Sequence, residues 1–252
     1  MTNIIAVLNQ KGGVGKTTTT INLAAYLAKS GKSVLIVDFD PQGNATSGLG
    51  LDVGLSKTSY QVMLGLCKAT SAILVSPETG ISLIPANNNL AAAEIELKDQ
   101  PNRESMLKTR LESLKYDYIL IDCPPALSLL TVNALTAANW LLVPVQAEFY
   151  AMEGLGQLMD VFQRVKQTTN PNLNLLGVLV TMYDGRTSLA EQVVSELNKH
   201  FGEIVFKTQI PRNVRLAEAP SYGKPISEHD KWSKGARSYK QFTKEVIKRV
   251  EG

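Results

Sequence analysis

Short apolar runs alternate with amphipathic stretches along the whole chain. A brief apolar run between turn signals is typical of a strand buried on both faces of a sheet. Runs of this kind occupy residues 4–8, 33–37, 81–84, 118–121, 140–145, 177–181 and 204–208. Between them, apolar side chains recur at helical spacing in residues 88–98, 103–114, 129–138, 154–167, 189–200 and 234–250.

Strands that alternate with helices predict an α/β fold, with a mostly parallel twisted sheet flanked by helices on both faces. Residues 43–80 are rich in Gly, Ser and Thr, and we expect loops and short helices there. No repeat, low-complexity tract or Pro/Gly linker interrupts the pattern. The 252 residues are therefore interpreted as one domain, 1–252.

The composition indicates which classes of protein the chain could belong to. Hydrophobic residues make up 44% of the chain, enough for a sizeable core, and a net charge of +3 gives no global signal for binding polyanions. The two cysteines, Cys67 and Cys123, lack metal-ligand spacing and are expected to be buried thiols in a reducing cytosol.

No apolar run approaches the roughly 20 residues of a membrane span, so we expect a cytoplasmic protein. Trp140 and Trp232 are expected to pack against the core.

A glycine-rich segment between the first strand and a helical stretch predicts a phosphate-binding loop. Strand, glycine-rich turn, Lys-Thr and helix is the context in which backbone N–H groups close around phosphate oxygens. The expected ATP-binding residues are Lys11, Gly12, Gly13, Val14, Gly15, Lys16, Thr17 and Thr18. Lys16 is expected to reach the β- and γ-phosphates, and the Thr17 hydroxyl to contact Mg²⁺.

The loop departs from the ordinary pattern at two positions. Gln10 stands where that pattern has glycine, and Lys11 adds a lysine that the pattern does not require. Lys11 is either a solvated loop charge or a cation that reaches a nucleotide held by another subunit. The spacing of the residues alone does not distinguish these two interpretations of Lys11.

Acidic residues follow two of the apolar runs. Asp38 and Asp40 come after residues 34–37, and their i, i+2 spacing predicts that both project to one side at the carboxyl end of the sheet, where open α/β sheets bind ligands. Asp122 follows residues 118–121 in the same way. Each aspartate alone could instead cap the turn that follows. Beside a phosphate loop, they predict a site for a metal ion and an attacking water.

Longer motifs in the sequence carry a resemblance to a known family. They are KGGVGKTT at 11–18, DFDPQGNAT at 38–46, LIDCPPALSLLTVNAL at 120–135, PVQAEFYAMEGL at 144–155 and IPRNVRLAEAPSYGKPI at 210–226. With these motifs the chain resembles the ParA/Soj chromosome- and plasmid-partitioning ATPases. That group belongs to the P-loop NTPases with a deviant Walker A loop, which also include MinD. The resemblance covers nearly the whole chain.

The resemblance implies a role for each site residue. The lysine matching Lys11 reaches across a nucleotide-sandwich dimer to the partner's phosphates, and the acid matching Asp40 orients the attacking water. Asp38 and Asp122 match the acids of the switch and metal shell, in which Thr17 also contacts Mg²⁺. Lys11, Lys16 and Asp40 are therefore the expected catalytic residues. The adenine pocket is expected at Pro211, Arg212 and Asn213.

The resemblance also implies a cycle. ATP with Mg²⁺ closes a homodimer, the dimer binds double-stranded DNA without sequence preference, and a ParB/Spo0J-type protein stimulates hydrolysis and release. A nucleoid-associated location in the cytoplasm, with no membrane partner, follows. Within that dimer, Lys11 would neutralise phosphoryl charge in the way that an arginine finger supplied in trans does.

Positive charge collects near the end of the chain. Residues 224–252 hold eight lysines and arginines against four acids, more net charge than the whole chain carries. Helical spacing places many of these cations on one face. Family positions add two arginines, and the expected DNA-binding residues are Arg186, Arg215, Lys231, Lys234, Arg237, Lys240, Lys244 and Lys248. The alternative is an ordinary solvated helix face.

Two other function classes remain as alternatives. The first is a MinD-like division-site ATPase, which would bind a membrane through an appended amphipathic helix. The second is a biosynthetic or metal-cluster enzyme on the same scaffold. The sequence offers no visible second substrate pocket or cysteine pair for it.

Overall fold

The computed structural model describes residues 2–52, 54–148 and 151–252. Part of the motif at 144–155 therefore lies outside the described residues. Within them the strands are β1 (Asn3–Val7), β2 (Val34–Asp38), β3 (Leu74–Val75), β4 (Ser82–Ile84), β5 (Tyr118–Asp122), β6 (Trp140–Gln146) and β7 (Asn174–Thr181). They form one seven-stranded sheet in the order β3-β4-β2-β5-β1-β6-β7.

Every strand pairing in this sheet is parallel except that of β3 with β4. Parallel neighbours need crossover connections, and helices supply them. The helices are α1 (Lys16–Lys29), α2 (Asn44–Gly48), α3 (Ser59–Leu64), α4 (Ala69–Ala72), α5 (Leu90–Glu96), α6 (Met106–Leu111), α7 (Leu129–Ala137), α8 (Ala151–Thr168), α9 (Ser188–Phe201), α10 (Val214–Glu218), α11 (Ile226–His229) and α12 (Lys234–Glu251). Short 3₁₀ turns occur at Arg103–Ser105, Gly202–Ile204 and Ala219–Tyr222.

Two hydrophobic cores cover the two faces of the sheet, as the alternation of strands and helices predicts. Along β5, Ile119 and Ile121 belong to one core, whereas Tyr118 and Leu120 belong to the other. Helices α5, α6 and α7 pack on the first face, and α1 and α12 pack on the second. The predicted α/β fold is confirmed.

The apolar run 204–208 is not a strand, so that prediction was wrong. Its first residue closes the 3₁₀ turn Gly202–Ile204, and the segment pairs with β7 through an isolated bridge between Val178 and Val205 rather than through a strand ladder. The Glu245 carboxylate of α12 accepts hydrogen bonds from the backbone N–H groups of Lys207 and Thr208, both at 3.0 Å. A side chain thus takes the place of a neighbouring strand.

Two further expectations need correction. The two-residue edge strand β3 lies inside residues 43–80, where only loops and short helices were expected. Trp232 does not pack against the core, because 77% of its surface is exposed. Helix α12 buries Tyr239, Phe242 and Val246 on its inner face. Within the described residues no helix is both long and apolar enough to cross a bilayer.

Candidate functional site

The glycine-rich loop connects β1 to α1 at the carboxyl end of the sheet. Gly13 and Gly15 adopt the left-handed region, with φ of 75° and 86°. Only glycine enters this region without a steric penalty, so the two positions let the chain curl around a small space. Gly15 also stands before the first residue of α1, where the helix leaves its first N–H groups unpaired. Such an N-terminus attracts anions.

The loop is held in shape by residues from distant strands. Asn9 Nδ2 donates to the Pro144 carbonyl at 2.7 Å, and its Oδ1 accepts from the Lys11 N–H at 3.0 Å. Thr181 Oγ1 donates to the Val14 carbonyl at 2.8 Å. The loop is therefore pre-organised for a phosphate chain. No motif or spacing in the sequence singles out Asn9 or Thr181.

Lys16 is a buried cation at the centre of this site. Only 8% of the residue is exposed, and its ammonium donates to the Lys11 carbonyl at 3.2 Å. Burial lowers the pKa of Lys16, and the nearby Asp122 and Asp40 carboxylates act in the opposite direction. Phosphate oxygens placed here would favour the charged ammonium.

Asp122 lies at the end of β5 and contacts two threonines of α1. Its Oδ2 accepts from Thr17 Oγ1 at 2.7 Å, and its Oδ1 accepts from Thr20 Oγ1 at 3.1 Å. Burial raises the pKa of Asp122, and the charge of Asp38 raises it further. Thr17 and Asp122, predicted from separate motifs, are thus brought together. Thr20 was not predicted as a site residue.

Asp38 and Asp40 have different surroundings, although their spacing predicts that they project to one side. Asp38, opposite Asp122 in the register of β2 and β5, is fully buried, and burial raises its pKa. Its Oδ2 accepts from the Thr46 N–H and Oγ1, at 2.8 and 2.7 Å. Asp38 therefore anchors the segment after β2. Asp40 instead lines the cleft beside the loop, and its Oδ1 accepts from the Gln42 N–H at 3.0 Å.

The Lys11 side chain does not line the cleft formed by its own loop. Its ammonium is ion-paired with the Glu148 carboxylate, and 41% of the Lys11 side chain is exposed. Gln146 Nε2 also donates to Glu148. Lys11 and Lys16, five residues apart, thus face different surroundings: one lies at the surface and the other in the site.

Two clefts meet at the loop. The first, of about 380 Å³, is lined by Gly12, Gly13, Gly15, Lys16, Thr17, Thr18 and Asp40, among others. The second, of about 250 Å³, is lined by Pro211, Arg212 and Asn213 together with Ile210 and Leu216. Gly15, Thr18 and Met182 line both. The arrangement offers a polar space for phosphates beside a less polar one for a base.

Two of the three predicted DNA-binding arginines, Arg186 and Arg215, are ion-paired within the chain. Arg186 binds both carboxylate oxygens of Asp184, at 2.8 and 2.7 Å, and these bonds lower the pKa of Asp184 to about 2. Arg215 lies 2.9 Å from a Glu218 oxygen and 3.7 Å from an Asp230 oxygen. Either arginine would have to share or exchange its partner to meet a phosphate.

The predicted DNA-binding cations of α12 are exposed, but they do not line one groove. Lys240 and Lys244 line a cleft with Lys231, next to α1. Lys248 lines a different groove, beside α9. Lys234 and Arg237 are also exposed, near the start of the helix. The predicted basic face is present, and its cations divide between two sides of α12.

The parallel sheet, the glycine-rich loop and the strand-end aspartates define a P-loop NTPase of the α/β class. A sequence model of the AAA domain family (AAA_31) matches residues 2–175. With that match and the relatives below, the chain belongs to the ParA/Soj family of chromosome-partitioning ATPases.

Two curated relatives are similar over almost the whole chain. One is the chromosome-partitioning ATPase Soj of Thermus thermophilus, 54% identical over 247 residues, covering 98% of this chain and 96% of the relative. The other is the sporulation initiation inhibitor protein Soj of Bacillus subtilis, 51% identical over 98% of each chain. The predicted family is confirmed, and the protein is an ATP-hydrolysing enzyme of the partitioning type.

A solved structure extends the likeness to three dimensions. The fold superposes on a structure described as cobyrinic acid a,c-diamide synthase from Mycobacterium smegmatis with bound ATP analog and magnesium, with a TM-score of 0.90 and 39% identity. The match covers 100% of this chain and 96% of that one.

Proposed function

We propose that the protein is an ATP-driven DNA-segregation switch. ATP with Mg²⁺ closes a nucleotide-sandwich homodimer, the closed dimer binds duplex DNA without sequence preference, and a ParB/Spo0J-type partner stimulates hydrolysis and release. In this proposal the protein acts in the cytoplasm, on the nucleoid. The observation that carries the proposal is the outward position of Lys11, because a loop lysine directed away from its own cleft can reach a partner's phosphates once it leaves Glu148.

The residues at the loop fit a magnesium ion. Thr17 Oγ1 and the Asp122 carboxylate already touch, and hydroxyl and carboxylate oxygens are ligands that Mg²⁺ accepts. Among the described residues no cluster of three or more His, Cys, Asp or Glu side chains could hold a metal ion, so phosphate oxygens and water would complete the shell. When bound, the ion would neutralise charge on the β- and γ-phosphates. Asp38 would act through the segment that it anchors at Thr46.

The chain's own groups supply the remaining parts of the mechanism. The loop N–H groups and Lys16 would hold the phosphates in place, and Asp40 at the cleft wall would orient the attacking water. Lys11 from the second copy would add positive charge only in the dimer. Hydrolysis would then depend on dimerisation, as a switch requires.

The adenine would occupy the space beside Pro211, Arg212 and Asn213. Asn213 Oδ1 accepts from the Leu216 N–H at 3.2 Å and so caps α10. This bond ties the wall of the base pocket to the segment that carries Arg215. Nucleotide binding could thereby affect the position of a predicted DNA contact.

A DNA-binding titration in ATP, in ADP and without nucleotide tests the proposal, with molecular mass measured in parallel. We expect a dimer and tight duplex binding with ATP alone. The double reversal Arg215→Glu/Lys234→Glu should weaken binding and flatten its salt dependence, because fewer phosphates are neutralised.

The matched control reverses Lys98 and Lys108, two exposed lysines on the opposite face of the sheet from α12. It should leave duplex affinity close to that of the parent. A protein that stays monomeric in saturating ATP·Mg²⁺ and binds DNA equally without nucleotide would contradict the proposal. Binding to anionic vesicles but not to duplex would favour the MinD-like alternative.

A further inference from the structure

A basic cleft of about 450 Å³ lies between α1 and α12, away from the nucleotide site. Six of its lining residues carry the inference: Lys29, Ser227, Lys231, Trp232, Lys240 and Lys244. No aspartate or glutamate is among the described residues that line it. The cleft is therefore strongly electropositive for its size.

Three of the four lysines have no competing carboxylate. Lys29 lies 3.8 Å from a Glu228 oxygen. Lys231, Lys240 and Lys244 form no ion pair with any carboxylate of the described residues. Unpaired ammonium groups that converge on one space repel one another, and an anion between them would remove that cost.

A buried hydroxyl in the wall also lacks a partner. Ser227 is only 7% exposed, and its Oγ makes no hydrogen bond with the described residues. The other two serine and threonine hydroxyls of the wall, on Ser30 and Thr243, donate to the carbonyls of Tyr26 and Tyr239. A buried hydroxyl without a partner carries a free-energy cost that a ligand oxygen would relieve.

An exposed indole stands at the rim. Trp232 is 77% exposed, and the Lys231 ammonium lies 5.3 Å from its ring centroid. Trp232 and Lys231 thus present an apolar ring and a cation side by side. This pairing suits a nucleotide unit, which offers a sugar or base beside a phosphate.

We propose that this cleft is the anchoring site for one backbone phosphate of duplex DNA, with Trp232 packed on the adjoining sugar. The phosphate oxygens accept from the lysine ammonium groups and from Ser227 Oγ. The inference rests on the proposed DNA binding and deepens it: contact is concentrated in the cleft rather than spread evenly along α12.

A pair of double variants tests the placement. Lys240→Gln/Lys244→Gln removes two charges from the cleft, and Lys98→Gln/Lys108→Gln removes two charges from exposed positions on the opposite face of the sheet. With ATP, we expect the cleft variant to lose about tenfold or more in duplex affinity, with a salt slope smaller by about 0.9 for the lost phosphate contact. The control should lose at most about threefold. Thermal unfolding verifies that both are folded.

Ser227→Ala removes a hydroxyl but no charge. It therefore distinguishes a cleft that binds phosphate through specific hydrogen bonds from one that attracts DNA only through its positive charge. We expect it to weaken duplex binding several-fold. Equal losses in the two double variants, or parent-like binding by Ser227→Ala, would overturn the inference while leaving the proposed function intact. If the parent protein bound no duplex in the presence of ATP, that result would instead contradict the proposed function and the inference together.

Tryptophan fluorescence distinguishes a DNA phosphate from free phosphate. The difference between the parent and Trp232→Phe isolates the signal of Trp232 from that of Trp140. We expect this signal to respond to duplex in the presence of ATP and not to millimolar inorganic phosphate. Saturation by inorganic phosphate alone, with release of bound duplex, would make the cleft a free-anion site and overturn the assignment to DNA.

Discussion

The Lys11 ammonium is ion-paired with the Glu148 carboxylate of the same chain. The pair joins the phosphate loop to the segment after β6, and both side chains are about two-fifths exposed, at 41% and 43%. In the proposed dimer, Lys11 has to leave Glu148 before it can reach the phosphates bound to the other copy. The pair therefore competes with closure of the dimer.

Glu148→Gln should ease dimerisation. Because an exposed ion pair contributes little, we expect the ATP concentration for half-maximal dimer formation to fall roughly two- to fivefold. Lys11→Ala should retain ATP binding and lose the dimer. Light scattering across an ATP titration measures both effects.

Glu104→Gln is the matched control, since it breaks the ion pair between Glu104 and Arg103. The side chains of that pair are similarly exposed, at 42% for Arg103 and 39% for Glu104. The control variant should dimerise like the parent. If Lys11→Ala also dimerised normally, Lys11 would be a solvated loop charge and the proposal would lose its main support.

Gly177 permits the close approach of β7, the 202–208 segment and α12. Its φ is +155°, and a Cβ built there would lie 2.5 Å from the Ile204 carbonyl oxygen and 2.6 Å from the Phe206 ring, and would also meet Arg249. The Ile204 carbonyl is held by the Arg249 guanidinium at 2.8 Å, so it cannot retreat without breaking a bond.

Gly177→Ala should therefore destabilise the fold by about 2 kcal/mol or more. Gly156→Ala is the control, because a Cβ at that exposed position of α8 would meet nothing within 4 Å. That change should stabilise by about 0.5 to 1 kcal/mol, the ordinary gain from replacing glycine in a helix. Chemical denaturation measures both variants. Equal stability in the two variants would contradict the packing argument.

The sheet was predictable because each central strand is buried on both faces and leaves a continuous apolar run. The same signal failed at 204–208, where the run is apolar and yet bonded differently. Its amides are held by Glu245, and Lys207 is 38 residues away from that side chain in sequence. A local pattern contains no information about such a partner.

The candidate site likewise has features that the local sequence predicts and features that it does not. The phosphate loop was predictable because its residues are contiguous and glycine is required at fixed positions. The bonds that hold it, from Asn9 to Pro144 and from Thr181 to Val14, span 135 and 167 residues. They depend on the order of the strands in the sheet, which spacing along the chain does not encode. The exposure of Trp232 was missed because an isolated tryptophan has no periodic context.

Thr17→Ala tests the magnesium site. The variant removes the hydroxyl that contacts Asp122, so we expect the gain in ATP affinity on adding Mg²⁺ to fall by about tenfold or more. Affinity in EDTA should change little, because the loop N–H groups and Lys16 remain. Calorimetry in both conditions measures the difference.

Thr109→Ala is the control. Thr109 lies on α6, and its exposed hydroxyl donates a hydrogen bond to the Ser105 carbonyl. The control variant should keep the full effect of Mg²⁺. An unchanged effect in Thr17→Ala as well would place the ion elsewhere.

Asp40 separates binding from hydrolysis in the proposed cycle. Asp40→Ala should still bind ATP, because Lys16 and the loop N–H groups are intact, but should release phosphate about a hundredfold or more slowly, since no carboxylate orients the water. The trapped dimer should then remain on DNA. Phosphate release and molecular mass, followed in one reaction, measure both properties, and Asp99→Ala removes a carboxylate from an exposed turn as the control.

Asp40→Asn distinguishes two ways in which the alanine variant could fail. Asp40 Oδ1 also accepts from the Gln42 N–H, so alanine removes a loop contact together with the carboxylate. Asparagine keeps an oxygen acceptor for that N–H and loses only the negative charge. We expect Asp40→Asn to be as slow as Asp40→Ala. If it hydrolysed ATP at the parent rate, Asp40 would act by holding the loop, and the water would have to be oriented by another group of the dimer.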